Sequence, residues 1–501
     1  MRLDRDDDFM ITGKRHPFSY DYSVGFDDTG RMMGLHVVQL ADCGHSADLS
    51  GPVADRAIFH TDNAYFLEHV KIESYRCKTH KQSHTAFRGF GGPQGMIVTE
   101  VIMGEIARQL NMDPVQVRQR NLYEDNGRNV THYGTTVEDN ILAPLMSQLV
   151  AQCDYTQRRK DIHEWNTKQT TLRRGMALTP VKFGISFTAT QFNQAGALVN
   201  VYTDGSVVVN HGGTEMGQGL FTKVALIVAA TLGLTPDKVT VSASDTSKIP
   251  NASATAASSG TDLNGRAAQF AAQQIRDNLA QFTAQMVKCS LEQVKFENNT
   301  IVTPKQTYLF EDVVSQAYAA RVQLWSDGFY RTPKIHYDKT TLSGRPFYYF
   351  AYGAACTEVA IDTLTGEYKI LRVDILHDVG TSIHPSIDIG QIEGGFIQGM
   401  GWLTTEELVW DNKGGLRTHA PSTYKIPTIG DTPEAFNVQL WQQPNREDNV
   451  MGSKAVGEPP FMLAISVFEA LRDAVARARN DGKPVRLNAP ATPERVLRAL
   501  R

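Results

Sequence analysis

The segment 211–219, HGGTEMGQG, sets the tightest limit on what this chain can fold into, because four of its nine residues are glycine. Residues 197–203 and 206–210 on its N-terminal side alternate as two strands. The Asp204-Gly205 dipeptide between them suits a tight primed turn. On its C-terminal side, residues 220–232 (LFTKVALIVAATL) have the length and composition of a buried helix. The local order is therefore strand, glycine-rich turn, helix start. With Cβ atoms removed along one edge, backbone N–H groups and the Gln218 amide can approach a bound group with phosphate or amide edges. Such a turn is weak evidence alone, since a tight bend needs the same backbone freedom.

A chain of 501 residues is long enough for two or more domains. Its 50 Lys and Arg nearly balance 54 Asp and Glu, leaving a net charge of −4. That balance argues against a nucleic-acid footprint or a membrane-surface partner and favours small-molecule chemistry. The cysteines (Cys43, Cys77, Cys153, Cys289 and Cys356) are scattered, without a CxxC pair. Iron–sulfur and structural zinc sites are thus not expected in this chain, and the thiols read as free in a reducing compartment. The acidic start, MRLDRDDDFM, lacks the apolar stretch of a secretory signal, and no run of about eighteen apolar residues occurs. A soluble cytoplasmic protein is the expectation.

Residues 34–41 and 65–74 are strand-like and flank a loop that carries Leu49 and Arg56. The stretch SHTAFRGFGGPQG (83–95) leads into a helix whose start is marked by Pro93. Val98, Ile102, Ile106 and Leu110 recur every four residues along that helix, so Arg88 and Phe90 fall just outside its start. The polar, weakly patterned segment 155–175 is the best candidate for a domain boundary. A small-residue loop at 250–260 precedes a helix capped near Thr261 or Asp262. Residues 348–374 read as two alternating strands around a turn at 363–366, and 387–403 as a glycine-interrupted helical segment bearing Gln391. Near the end, Leu463, Val467, Leu471 and Val475 mark a helix that begins at Pro459-Pro460. The prolines hold Glu458 extended at its entry. A carboxylate fixed there can act as a general base or simply complement the helix dipole.

Six separated stretches carry a resemblance: LDRDDDFMITGKRHPF (3–18), SHTAFRGFGGPQG (83–95), HGGTEMGQG (211–219), SATAASSGTDLNG (253–265), DIGQIEGGFIQGMG (388–401) and AVGEPPF (455–461). In order and content they closely resemble the molybdenum-binding portion of xanthine dehydrogenases and xanthine oxidases, and the likeness covers nearly the whole chain. The resemblance implies an α+β fold of two molybdenum-cofactor-binding domains, built of mixed sheets and packed helices. The first, 1–165, would be incomplete on its N-terminal side and the second would span 166–501. It further implies oxidative hydroxylation of hypoxanthine and xanthine to urate, with water as the oxygen donor. Glu458 would take the proton from a hydroxide on molybdenum, and a hydride would pass to the metal's sulfido ligand.

By the same resemblance Arg56 stabilises negative charge developing on the purine. Phe90 and Phe187 hold the heterocycle, one stacked and one edge-on, while Thr188 donates a hydrogen bond and Leu49 completes the substrate pocket. Arg88, Met216, Gly217, Gln218, Thr255, Ala257, Ser258 and Gln391 surround the pterin, and no side chain binds the metal directly. The 2Fe–2S clusters, FAD and NAD belong on partner domains or a partner subunit, which implies a hetero-oligomer. Gln191 and Ala189 depart from the bulkier residues of animal relatives, so the outer funnel is expected to differ in shape. The family's other active-site glutamate and a glutamine near the metal have no counterpart in this chain. An aldehyde or other N-heterocycle hydroxylase is the second hypothesis, opposed by Arg56, and a non-catalytic fragment lacking its upstream half is the third.

Overall fold

The computed structural model describes residues 2–125, 127–249 and 251–501. Met1 and Pro250, the first residue of the expected small-residue loop, lie outside the described residues. The architecture is α+β. Its central sheet runs in the order Ala435–Trp441, Tyr368–Asp378, Tyr349–Asp362, Leu172–Ile185. All neighbours are antiparallel except the first two, which are parallel. The strand Tyr349–Asp362 is buried along nearly its whole length, whereas a strand with one wet face would show alternate burial. Both faces are covered, so its two-residue period divides side chains between two cores. Ala351, Ala355 and Val359 enter one core, and Phe350, Tyr352, Ala354 and Cys356 enter the other.

The first core is closed by the helices Pro385–Thr404 and Ile465–Arg479. The second is closed by the helix Gly92–Gln109 together with a sheet of Phe18–Phe26, Met32–Gly44 and Val70–Lys78. A third core lies between the sheet Trp325–Arg331, Gln194–Val201, Val207–His211, Val239–Val241 and the helices Leu220–Leu232 and Arg266–Val287. Each fully buried Leu, Ile or Phe in these layers contributes about 1.5–3 kcal/mol.

Several expectations change in detail. Residues 155–167, read as part of a boundary, form the helix Tyr155–Thr167, and its Arg158 pairs with Glu358 and Asp374. Strand Val70–Lys78 starts later than position 65, because Tyr65 turns away to bridge Leu122. The Asp204-Gly205 turn is not primed. Gly205 has φ +80 whereas Asp204 does not have positive φ, and Tyr202 N–H pairs with Ser206 O. That is the longer hairpin loop with a left-handed glycine at its end, which Asp-Gly also satisfies. No side chain caps the helix near residue 261. A π-helical turn, Thr261–Gly265, runs directly into Arg266–Val287, and Asp262 is buried and accepts from the Tyr349 hydroxyl at 2.7 Å. The acidic start has a cap that the sequence analysis missed: Asp4 accepts the Asp7 N–H and opens the helix Arg5–Ile11.

Candidate active site

Helix beginnings from distant parts of the chain face one cavity of about 910 Å³, inside the range of small-molecule sites. The helix Ser50–Phe59 brings Arg56 and the loop before Gly92–Gln109 brings Arg88 and Phe90. Met216 and Gln218 precede the helix Leu220–Leu232, Thr255 to Ser258 precede Arg266–Val287, and Glu458 precedes Pro459–Met462. Leu49, Phe187, Thr188 and Gln391 complete the set. Of the residues anticipated at the site, Gly217 is not in the wall: with φ +94 it forms the exposed tip of its turn and has no side chain to project.

Glu458 is 9% exposed. Its Oε1 accepts the Gly89 N–H at 3.1 Å and its Oε2 accepts the Ser258 hydroxyl at 2.9 Å. The Glu458 N–H in turn donates to Ser258 Oγ at 2.7 Å. The backbone here is not extended as the prolines suggested. Its φ of −94 and ψ of −40 are helical, because the Glu458 carbonyl accepts the Phe461 N–H and starts the turn. The pre-proline preference is a bias that one committed helix start overrides. Ala257 and Ser258 sit at φ 55 and 59, a left-handed pair costing on the order of 1–2 kcal/mol per residue. Strain of this kind aims the serine at the carboxylate.

Arg88 ties the surrounding loops together. Its Nε donates to Gly457 O at 2.6 Å, Nη1 to Gln398 Oε1 at 3.2 Å, and Nη2 to Gln391 Oε1 at 3.5 Å. Burial lowers its pKa from the usual guanidinium value, opposed by the Glu458 charge. Arg56 is 1% exposed, and its only hydrogen bonds among the described residues go to the carbonyls of Ser186 and Gly184, at 3.0 and 2.5 Å. The guanidinium lies over the rings of Phe183 and Phe347, at 4.6 and 5.1 Å, and Nε has no partner. No carboxylate forms an ion pair with it among the described residues. Burial lowers its pKa, opposed by Glu458 and Tyr133. An uncompensated buried cation of this kind attracts developing negative charge.

The glycine turn departs from the expectation of free donors. Glu215 accepts the N–H groups of Gly217, Gly219 and Phe221 at 2.8, 3.0 and 3.0 Å. Partial burial pushes the Glu215 carboxyl up, but these donors outweigh it and leave it below its ordinary value. Gln218 accepts the Met216 N–H at 2.5 Å and donates to Thr214 O at 2.8 Å. The loop thus satisfies its own backbone with its own side chains. Thr255 accepts the Thr214 N–H at 2.8 Å. Besides Glu458 and Arg56, polar side chains at the cavity include Arg88, Gln391, Ser258 and three residues the sequence analysis missed: Lys223, Asp388 and Lys454. Lys223 pairs with Asp388 at 2.5 Å, and Lys454 with Asp378 and Asp139 at 2.7 and 2.9 Å. The one signal for Lys223 was a cation inside an otherwise apolar helix.

Phe187 meets Phe192 edge-on at 5.8 Å, and Phe192 and Ala189 form part of the outer wall, while Gln191 is exposed and does not line the cavity. Among the described residues no cluster of three or more His, Cys, Asp or Glu could hold a metal ion. The lining is mixed: Arg88, Gln391, Ser258 and Lys223 supply polar groups, and Phe90, Phe187 and Ala257 supply apolar surface. Volume and donor set fit a large polar heterocycle.

Two models of a molybdopterin cofactor-binding domain match the chain, at residues 1–122 and 148–433. A chicken (Gallus gallus) protein named xanthine dehydrogenase/oxidase is 45% identical over 99% of this chain and 35% of its own length. Xanthine dehydrogenase 1 of Arabidopsis thaliana is 43% identical over 99% of this chain and 36% of its own length. The chain thus spans about a third of the curated relatives it matches. In architecture it superimposes on quinoline 2-oxidoreductase from Pseudomonas putida 86 with a TM-score of 0.87, at 23% identity, covering 99% of this chain and 64% of that one. The aldehyde oxidoreductase of Desulfovibrio gigas gives 0.82 at 22% identity, covering 100% and 51%. Among the described residues, no helix is long and apolar enough to cross a membrane.

Proposed function

Because the chain belongs to the molybdopterin cofactor-binding domain family, and its likeness to xanthine dehydrogenases runs along nearly all of it, we propose that it carries the hydroxylating centre of a xanthine dehydrogenase. The units would be 1–165 and 166–501. The reaction is oxidative hydroxylation of hypoxanthine and xanthine to urate: a ring C–H and water become C–OH, releasing two protons and two electrons. When bound, the molybdenum cofactor supplies the two-electron acceptor and the Lewis acid that activates water.

The protein's own part is positional and electrostatic. Phe90 and Phe187 clamp the flat purine, Thr188 donates to it and Leu49 closes the mouth. Glu458 accepts the proton lost as oxygen adds to the ring carbon, and Arg56 stabilises the negative charge that moves onto the purine. Arg88, Met216, Gln218, Thr255, Ala257, Ser258 and Gln391 enclose the pterin. Electrons leave for 2Fe–2S clusters, FAD and NAD on other portions of a hetero-oligomeric cytoplasmic enzyme.

The observation that carries this proposal is the presence at one cavity of a fixed carboxylate, Glu458, and a buried cation, Arg56, that has no carboxylate partner among the described residues. The presence of Arg56 favours purines over aldehydes. The test is a protein carrying this chain together with the electron-transfer portions the resemblance implies. Wild type should bind molybdenum and form urate. Glu458→Gln should keep the metal and lose about 10²–10⁴-fold in turnover. A Glu458→Gln enzyme that hydroxylates xanthine at the wild-type rate refutes the proposal.

A further inference from the structure

We infer that Arg15 is a positioning residue for Glu458, acting through the peptide bond between Arg88 and Gly89. The inference rests on Glu458 being the base proposed above. Arg15 Nη2 donates to Arg88 O at 2.7 Å, and the N–H of the same peptide, on Gly89, donates to Glu458 Oε1 at 3.1 Å. A cation drawing electron density toward the carbonyl oxygen makes the amide hydrogen more positive, so the two bonds strengthen one another. Only glycine fits at the position that donates this bond. Gly89 sits at φ +94, and a Cβ there would lie 2.5 Å from Pro93 Cδ.

Arg15 is held in place by aromatic rings. Its guanidinium stands over Phe461 at 4.3 Å, Phe87 at 4.6 Å and Trp402 at 5.3 Å. It forms no ion pair among the described residues, and its buried Nη1 has no partner. Those rings come from the GEPP segment, the loop that carries Arg88 and Gly89, and the helix Pro385–Thr404, so the cage joins the segment bearing Glu458 to the loop whose Gly89 N–H meets it. A surface cation would not need such a cage.

Other charges act on the same pair. Glu458 feels Arg88 and Arg56 as well as Arg15, and Lys223, Asp388, Lys454 and Asp262 line its cavity. Arg15 feels Glu406 and Tyr424, which are hydrogen-bonded to each other at 2.6 Å. Burial pulls the Arg15 guanidinium down to about 9, with Glu406, Tyr424 and Glu458 opposing, so it carries its charge at neutral pH.

The test uses the molybdenum-loaded enzyme with Arg15→Met, Arg15→Gln and Arg15→Lys. One readout is the acid limb of kcat/KM for xanthine. The other, free of turnover, is the infrared carboxyl band of Glu458, assigned by its loss in Glu458→Gln and titrated with pH. Both midpoints should rise by about one pH unit in the neutral variants, giving about tenfold lower kcat/KM below the limb, and Arg15→Lys should recover part of the shift. Arg15→Gln keeps a hydrogen-bond donor and serves if Arg15→Met does not fold. Lost activity with both midpoints unmoved would make Arg15 a scaffold residue and overturn the inference. If Glu458→Gln removes the acid limb while neutral Arg15 variants keep the wild-type midpoint, only this inference fails. If Glu458→Gln keeps the limb, the base assignment fails with it.

Discussion

Arg56 differs from Arg118 and Lys182 in having carbonyls and rings for company instead of a carboxylate. Arg118 meets Glu100 and Lys182 meets Asp62, whereas Arg56 has only Gly184 O, Ser186 O and two phenyl faces. A charge left in that state costs stability and is available to a substrate anion. Replacing it with methionine should therefore lower purine kcat/KM by about 10²-fold, leave aldehyde turnover near wild type, and hold or raise the thermal midpoint. Equal losses on both substrate classes would count against the pocket assignment. Ser258 makes a second residue-level case, since it both donates to the Glu458 carboxylate and accepts the Glu458 N–H. Ser258→Ala removes a donor to the charged form, so the acid limb of the pH profile should move upward. An unmoved limb would show that Gly89 alone sets the carboxylate.

At the scale of elements, the ion pair of Lys223 and Asp388 joins the helix Leu220–Leu232 to the helix Pro385–Thr404, with both groups buried. Ser382 donates to the free oxygen of Asp388 at 2.5 Å. Lys223→Met should cost about 3–5 kcal/mol in urea unfolding because it strands a buried carboxylate. The double replacement Lys223→Met with Asp388→Leu should regain most of that, and failure to regain it would mean the pair is worth more than its packing. Elements of this kind were legible where a local rule has no rival. The helix Leu220–Leu232 was legible to the residue, because glycines with positive φ flank both its ends. The Asp204-Gly205 turn was not, since two loop types accept the same dipeptide. Glu458 read as extended because a statistical bias before proline loses to a helix start only in the folded context. The residues proposed to face the cofactor came from the resemblance, and their contacts were out of reach. Nothing in HGGTEMGQG says that Glu215 and Gln218 turn back onto their own loop, and nothing in GKRHP connects Arg15 to a carbonyl 73 residues away.

At the scale of the whole molecule, buried histidines set how stability responds to acid. Burial depresses His16 and His211 to about 4 and His377 to about 3. His377 has no partner on either ring nitrogen among the described residues. Each has a folded-state pKa below the unfolded value of about 6.5, so the unfolded chain binds more protons in between. The contribution is therefore intact above about pH 6.5 and is lost as pH falls toward the folded values. Each histidine should steepen the fall by about 1.4 kcal/mol per pH unit in that window. Urea midpoints between pH 7.5 and 5 check this, and His377→Leu should flatten the slope while costing little at pH 7.5. A slope unchanged by His377→Leu would remove that ring from the account.

The bond from Gly89 to Glu458 closes a span of 369 residues. A ribosome adding about 5–20 residues per second takes on the order of half a minute to deliver the second of these after the first. Until then one whole side of the crevice does not exist. A prosthetic group held between these two segments can therefore be seated only after the later one has been made, and the earlier segment has to wait, unfilled, for its late-made neighbour.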